Sequence, residues 1–179
     1  MKNLLAPLAA LALAACASSI ANAQQQAQQP PCAAQEFRQM DFWVGTWDVS
    51  WDAVQGIPAG SGTNAITREY NDCVIQEQFD GGASTGGLIG HSVSTYSAPA
   101  QTWRQTWVDN QGGYFALTGG QVGDDFILTS YRINTDTPLQ RMVFTDITEN
   151  SLTWRWQSTP DAGATWNDRW VIRYTRRAP

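Results

Sequence analysis

From Asp41 to the C-terminus, apolar and polar residues alternate in short runs, and Gly, Pro, Asn or Asp interrupts them about every eight to twelve residues. A period of two puts successive side chains on opposite faces of an extended strand and does not match the 3.6-residue period of a helix. Trp47–Asp52 alternates without a fault. Gly60–Glu69, Cys73–Phe79, Leu88–Tyr96, Thr102–Asp109, Tyr114–Thr118, Asp125–Arg132, Leu139–Ile147, Ser151–Gln157 and Trp166–Thr175 are the further predicted strands, about ten in all. Leu139–Ile147 reads equally well as a short helix. Ala33–Gln39 is the one convincing helical stretch.

Short strands joined by tight turns, with no crossover helix between them, predict an antiparallel meander. A meander removes its exposed edges most simply by closing into an up-and-down β-barrel, here of about 8–10 strands; a two-sheet sandwich is the alternative. The tryptophans favour the barrel. There are nine in 179 residues, and most fall in same-face pairs: Trp47/Trp51, Trp103/Trp107, Trp154/Trp156 and Trp166/Trp170. Inward aromatic groups of that bulk either plug a barrel or line a ligand cavity.

The length suits one domain, expected over residues 32–179. Met1-Lys2-Asn3 is a short positive start, and Leu4–Ala15 is almost unbroken Leu and Ala, the pattern of an export signal and too short to span a bilayer. Two cleavage signals compete. Ala21-Asn22-Ala23 is an A-x-A site, which makes residues 1–23 the signal peptide. Leu13-Ala14-Ala15-Cys16 resembles a bacterial lipobox, which would end the signal at Ala15 and place a lipid on Cys16. The expected location is therefore periplasmic or extracellular, or envelope-anchored through Cys16. Membrane contact is expected only through that lipid. Residues 24–31 (QQQAQQPP) hold no bulky apolar group and are expected to be a disordered leader.

The net charge is −5. The only lysine, Lys2, leaves with the signal, so the mature chain is acidic and carries arginine alone as its base. No basic patch points to nucleic acid. Cys32 and Cys73 both fall in the folded region, and an oxidising compartment favours a bridge between them over two buried thiols.

Phe42-Trp43-Val44-Gly45-Thr46-Trp47 carries Gly-x-Trp at the head of the first strand. With Asp72-Cys73 and Glu77, Trp103–Gly113 (WRQTWVDNQGG) and Asp161–Trp166 (DAGATW), it resembles small exported bacterial proteins with a lipocalin-like, or calycin, barrel. The resemblance spans Cys32 to the C-terminus. It implies that the first-strand tryptophan packs beneath an arginine of the last strand, for which Arg173 is the candidate. It implies no particular activity.

Thr159–Trp166 matches the Asp-box pattern S/T-x-D-x-G-x-T-W of sialidases. One copy cannot build a propeller, so a hairpin role is expected: Asp161 accepting backbone N–H groups, Gly163 supplying a positive φ. His91 is the only histidine. Nitrobindin-like barrels hold haem through a histidine late in the chain, whereas His91 sits mid-chain, so a strand histidine is the reading preferred to a metal ligand. No Cys/His cluster suits zinc, and no cofactor is expected.

Glu77 shares a face with Ile75 and Phe79, so alternation places its carboxylate inside, where it is costly unless paired or raised in pKa. Gln105 lies between Trp103 and Trp107, and Asp168 between Trp166 and Trp170. Polar groups on aromatic faces fit either a ligand cavity with a few orienting contacts or a structural hydrogen-bond network. The leading expectation is a barrel that binds a small apolar or amphipathic ligand in a cavity above about 300 Å³. Trp47, Trp103, Trp107, Trp154 and Trp170 are its expected walls, and Glu77, Gln105 and Asp168 its polar contacts. The alternatives are an enzyme with Glu77 as general acid or base, a haem or gas binder through His91, and a plugged structural barrel.

Overall fold

A computed structural model describes residues 31–131 and 139–178. The signal segment, Cys16, all but Pro31 of the leader, and Arg132 lie outside the described residues.

Ten antiparallel strands form a closed up-and-down barrel, consistent with a calycin-like architecture. In chain order they are β1 (Gly45–Trp51), β2 (Gly60–Glu69), β3 (Val74–Asp80), β4 (Ile89–Ser97), β5 (Thr102–Asp109), β6 (Tyr114–Val122), β7 (Asp125–Ser130), β8 (Gln140–Thr145), β9 (Ser151–Ser158) and β10 (Asn167–Arg176). Each pairs with its sequence neighbours, and β1 closes the ring on β10 with Trp47 opposite Arg176 and Val49 opposite Tyr174. Closure leaves no edge strand, which resolves the choice against a sandwich. The ambiguous segment around Met142 is strand: Met142 and Phe144 point inward between Leu128 and Phe126 of β7 and Trp156 and Trp154 of β9. The expected short helix is present as the 3-10 turn Gln35–Arg38, and a second 3-10 turn, Asp41–Trp43, follows it.

Alternation sets what faces inward. In β1 the buried positions are Trp47, Val49 and Trp51, with Asp48 exposed and Ser50 half-buried between them. In β3 they are Ile75, Glu77 and Phe79. On β4 the inward residues Gly90, Ser92 and Ser94 are small, and β5 fills the room they leave. A Cβ on Gly90 would stand 2.0 Å from the Trp107 ring, so glycine is required for that indole to lie there.

The disulfide Cys32–Cys73 is formed, with a Cα–Cα distance of 5.1 Å. It ties the start of the domain to the β2–β3 turn, where Tyr70, Asn71 and Asp72 all have positive φ. Arg38 and Arg68 both donate to the Asp72 carbonyl, each at 3.0 Å, and Arg68 also pairs with Asp41.

Candidate functional site

One end of the barrel is filled. Met40 and Trp43, delivered by the 3-10 turns, are fully buried against the inward aromatics Trp47, Trp103, Phe126 and Phe144. Trp47 Nε1 donates to the Trp43 carbonyl (2.8 Å), and Trp103 Nε1 donates to Gln39 Oε1 (2.9 Å). The Arg176 guanidinium lies 4.0 Å from the centre of the Trp47 ring. It donates to three backbone carbonyls, of Val44 (2.6 Å), Phe42 (3.0 Å) and Glu149 (2.7 Å). This geometry explains Gly-x-Trp: Gly45 has φ +137°, and a Cβ there would meet Arg176 Nη1 at 2.2 Å.

The arginine is therefore Arg176, not Arg173. Trp170, Ile172 and Tyr174 face inward, so Arg173 faces out, where it forms a two-pronged pair with Asp52 (2.9 and 3.1 Å). Arg176 shares the inward parity, and that was the signal to follow.

The other end is open. A cavity of about 160 Å³ is walled by Phe79, Leu88, Trp107, Phe115, Trp154, Trp156 and Trp170, above Glu77, Leu117, Met142, Ile172 and Tyr174, with Asp109 also lining it. Its deeper residues are buried, whereas Trp107, Phe115, Trp154, Trp156 and Trp170 are half-buried and form its mouth. The indoles are mutually fixed. Trp170 meets Trp154 edge-on (6.1 Å, 89°) and Phe79 edge-on (6.0 Å, 89°), while Trp154 lies parallel to Trp156 and Phe79 packs on Trp107. Such edge-to-face contacts hold rings in register without closing the space between them. The volume is about half the expected 300 Å³.

Glu77 sits at the bottom of this cavity, 5% exposed. Asn64 of β2 donates to Oε1 (2.7 Å) and Ser92 of β4 donates to Oε2 (2.6 Å). Asn64 Nδ2 also donates to the Tyr174 hydroxyl (3.0 Å). Burial raises the Glu77 carboxyl from its ordinary 4.5 to about 7, and the two hydrogen bonds only partly offset that rise. Burial, then the Glu77 charge, hold the Tyr174 hydroxyl far above its usual range, so it stays protonated. Asp109, at the mouth, behaves oppositely. Burial pushes it up, but donation by Trp107 Nε1 and by the amides of Gly113 and Gln111 outweighs this and leaves it below its ordinary value. At neutral pH the cavity thus holds one firmly ionised carboxylate and one poised between charged and neutral.

Of the residues expected to form a ligand site, the structure brings together Glu77, Trp107, Trp154 and Trp170. Trp47 and Trp103 belong to the packed end. Gln105 is buried outside the cavity lining, donating to Ser94 Oγ at 2.9 Å. Asp168 is on the outer surface, paired with Arg155 at 2.7 Å and accepting from Gln157 at 2.8 Å. A β-bulge between Asp168 and Trp170 reverses the alternation there and turns Asp168 out while Trp170 stays in. His91 also faces out, between exposed Ile89 and Val93, and cannot ligate a group inside the barrel. Asp161 accepts from Thr165 N (2.7 Å), Thr165 Oγ1 (2.7 Å) and Thr159 Oγ1 (2.8 Å) inside the β9–β10 hairpin, so the Asp-box residues pin a turn.

Sequence reasoning missed Asp109, Phe115, Trp156 and Tyr174. Trp156 and Tyr174 share parity with Trp154 and Trp170 and were legible; Asp109 shares parity with Trp107, although only the fold shows it reaching the mouth.

Comparison with protein-family models finds no match, and comparison with curated proteins finds no similar relative.

Proposed function

We propose that this chain is an exported binding protein whose barrel takes a small, partly apolar ligand of about one-ring size into the tryptophan-walled cavity. The carrying observation is the cavity itself, with half-buried indoles at its mouth and a buried carboxylate at its base. A cavity of roughly 150 Å³ accommodates a benzene-sized molecule, so a long-chain lipid does not fit this reading. The open upper half weighs against a plugged structural barrel. The Arg176–Trp47 closure supports kinship with calycin barrels, and the disulfide supports an oxidising compartment.

Titration with phenol, indole and a long-chain fatty acid, followed by tryptophan fluorescence and calorimetry, tests the proposal. A ring-sized compound is expected to bind saturably, and Trp154→Ala to weaken it by about tenfold or more. If no ring-sized compound binds, or Trp154→Ala leaves binding untouched, the reading fails.

A second reading has one observation in its favour: a carboxyl near 7 is suited to general acid–base catalysis at neutral pH. On that reading Glu77 is the proton carrier, and turnover of any substrate found is lost in Glu77→Gln; unchanged turnover removes it.

A further inference from the structure

We propose that the ligand is a small N-methylated ammonium cation, held over the tryptophan faces of the cavity with Glu77 as its counter-ion. This rests on the binding reading above.

Aromatic faces carry negative quadrupole charge, and an organic cation within about 6 Å of several of them is attracted to each. Here Trp107, Trp154, Trp156 and Trp170 surround one space. The charged residues lining that space are both acidic, Glu77 and Asp109. Among the described residues Glu77 forms no ion pair. The neighbouring arginines are engaged elsewhere: Arg155 with Asp168, Arg173 with Asp52, and Arg176 with backbone carbonyls. A neutral apolar ligand leaves a buried carboxylate without a counter-charge. A cation of the same shape compensates that charge.

Methylation follows from the hydrogen-bond inventory. A primary ammonium carries three donors and needs an acceptor for each. Each Glu77 oxygen already accepts one bond, from Asn64 or Ser92, which leaves about two acceptor sites for three donors, and most of the walls are hydrocarbon and indole. A quaternary ammonium has no N–H to satisfy.

Binding is coupled to the Glu77 proton. The groups facing Glu77 are Asn64 from β2, Ser92 from β4 and Tyr174 from β10, with Leu117 from β6, Met142 from β8 and Trp154 from β9 lining the same cavity. Of these only Tyr174 is titratable, and it stays neutral; Asp109 of β5, across the cavity, is already ionised at neutral pH. A cation that favours ionised Glu77 therefore binds more tightly as pH rises through about 7 and displaces a proton below it.

The test compares choline with its uncharged isostere 3,3-dimethylbutan-1-ol on the mature protein by calorimetry. Choline is expected to bind at least about tenfold more tightly at pH 8, with affinity rising up to about tenfold from pH 6 to pH 8. Glu77→Gln is expected to abolish the pH dependence and to weaken choline at pH 8 by about tenfold, narrowing its lead over the alcohol. Proton release by the unaltered protein, read from the dependence of the heat on buffer ionisation, is expected at pH 6.5 and gives the same answer if that variant does not fold. Equal or tighter binding of the alcohol overturns the cation assignment and leaves the cavity reading standing. Choline binding without proton release or pH dependence overturns the role of Glu77. Failure of choline and of every ring-sized compound overturns both proposals.

Discussion

Glu77 costs the barrel stability at neutral pH and above. The unfolded chain releases this proton near the ordinary 4.5, whereas the folded protein holds it to about 7. Between those values the folded state binds more protons, so stability falls as pH rises, by roughly 3 kcal/mol once the change is complete. Glu77→Gln keeps the shape and removes the charge, and Asn64 Oδ1, which has no partner among the described residues, can accept from the new amide if the Asn64 group turns over. Urea unfolding is expected to show the variant more stable than the parent at pH 8, by about 1–3 kcal/mol, and without that advantage at pH 4. Parallel pH profiles for the two proteins would show that this carboxyl is not desolvated. Alternation alone was enough to place Glu77 inside. It could not reveal the partners, because Asn64 and Ser92 lie on neighbouring strands whose register only the fold supplies.

At the scale of elements, Arg176 adds to the β1–β10 ladder by covering Trp47 and donating to three backbone carbonyls. Arg176→Ala leaves three carbonyls without their donor and uncovers Trp47, and is expected to cost about 2–4 kcal/mol in denaturant unfolding. Arg173→Ala, which removes an exposed pair, is the control and is expected to leave the midpoint unmoved. A similar loss in both variants would contradict the assignment. The Cys32–Cys73 bridge closes a separation of 41 residues, so Cys32→Ser with Cys73→Ser is expected to lower stability by up to about 4 kcal/mol. An unchanged melting curve would mean that Arg38, Arg68 and the buried Met40 anchor the segment unaided. Strand positions were legible because the period of two is a local signal: Gly60–Glu69 and Thr102–Asp109 match β2 and β5 residue for residue. The reading failed where geometry departs from the ideal pleat. The bulge before Trp170 is invisible to simple parity, whereas the short helical turn within Ala33–Gln39 is present at Gln35–Arg38.

For the whole molecule, ten strands enclose more volume than the inward aromatics fill, and they fill it unevenly. Met40, Trp43, Trp47, Trp103, Phe126 and Phe144 pack one end, and Trp107, Trp154, Trp156 and Trp170 ring the other. Counting nine tryptophans predicted that they would plug or line the barrel; they do both, and only three-dimensional height along the axis separates Trp47 and Trp103 from Trp107, Trp154 and Trp170. Export belongs to this scale as well. The mature protein from its host is expected, by mass spectrometry, either to begin at Gln24 or to carry a lipid on Cys16, and an intact chain retaining Met1 would contradict it. Whether the open end takes up a ring-sized molecule is read out by soaking crystals in 4-bromophenol. A bromine anomalous peak enclosed by Trp107, Trp154 and Trp170 is expected. Bromine sites confined to the outer surface, with that space unoccupied at saturating ligand, would contradict it.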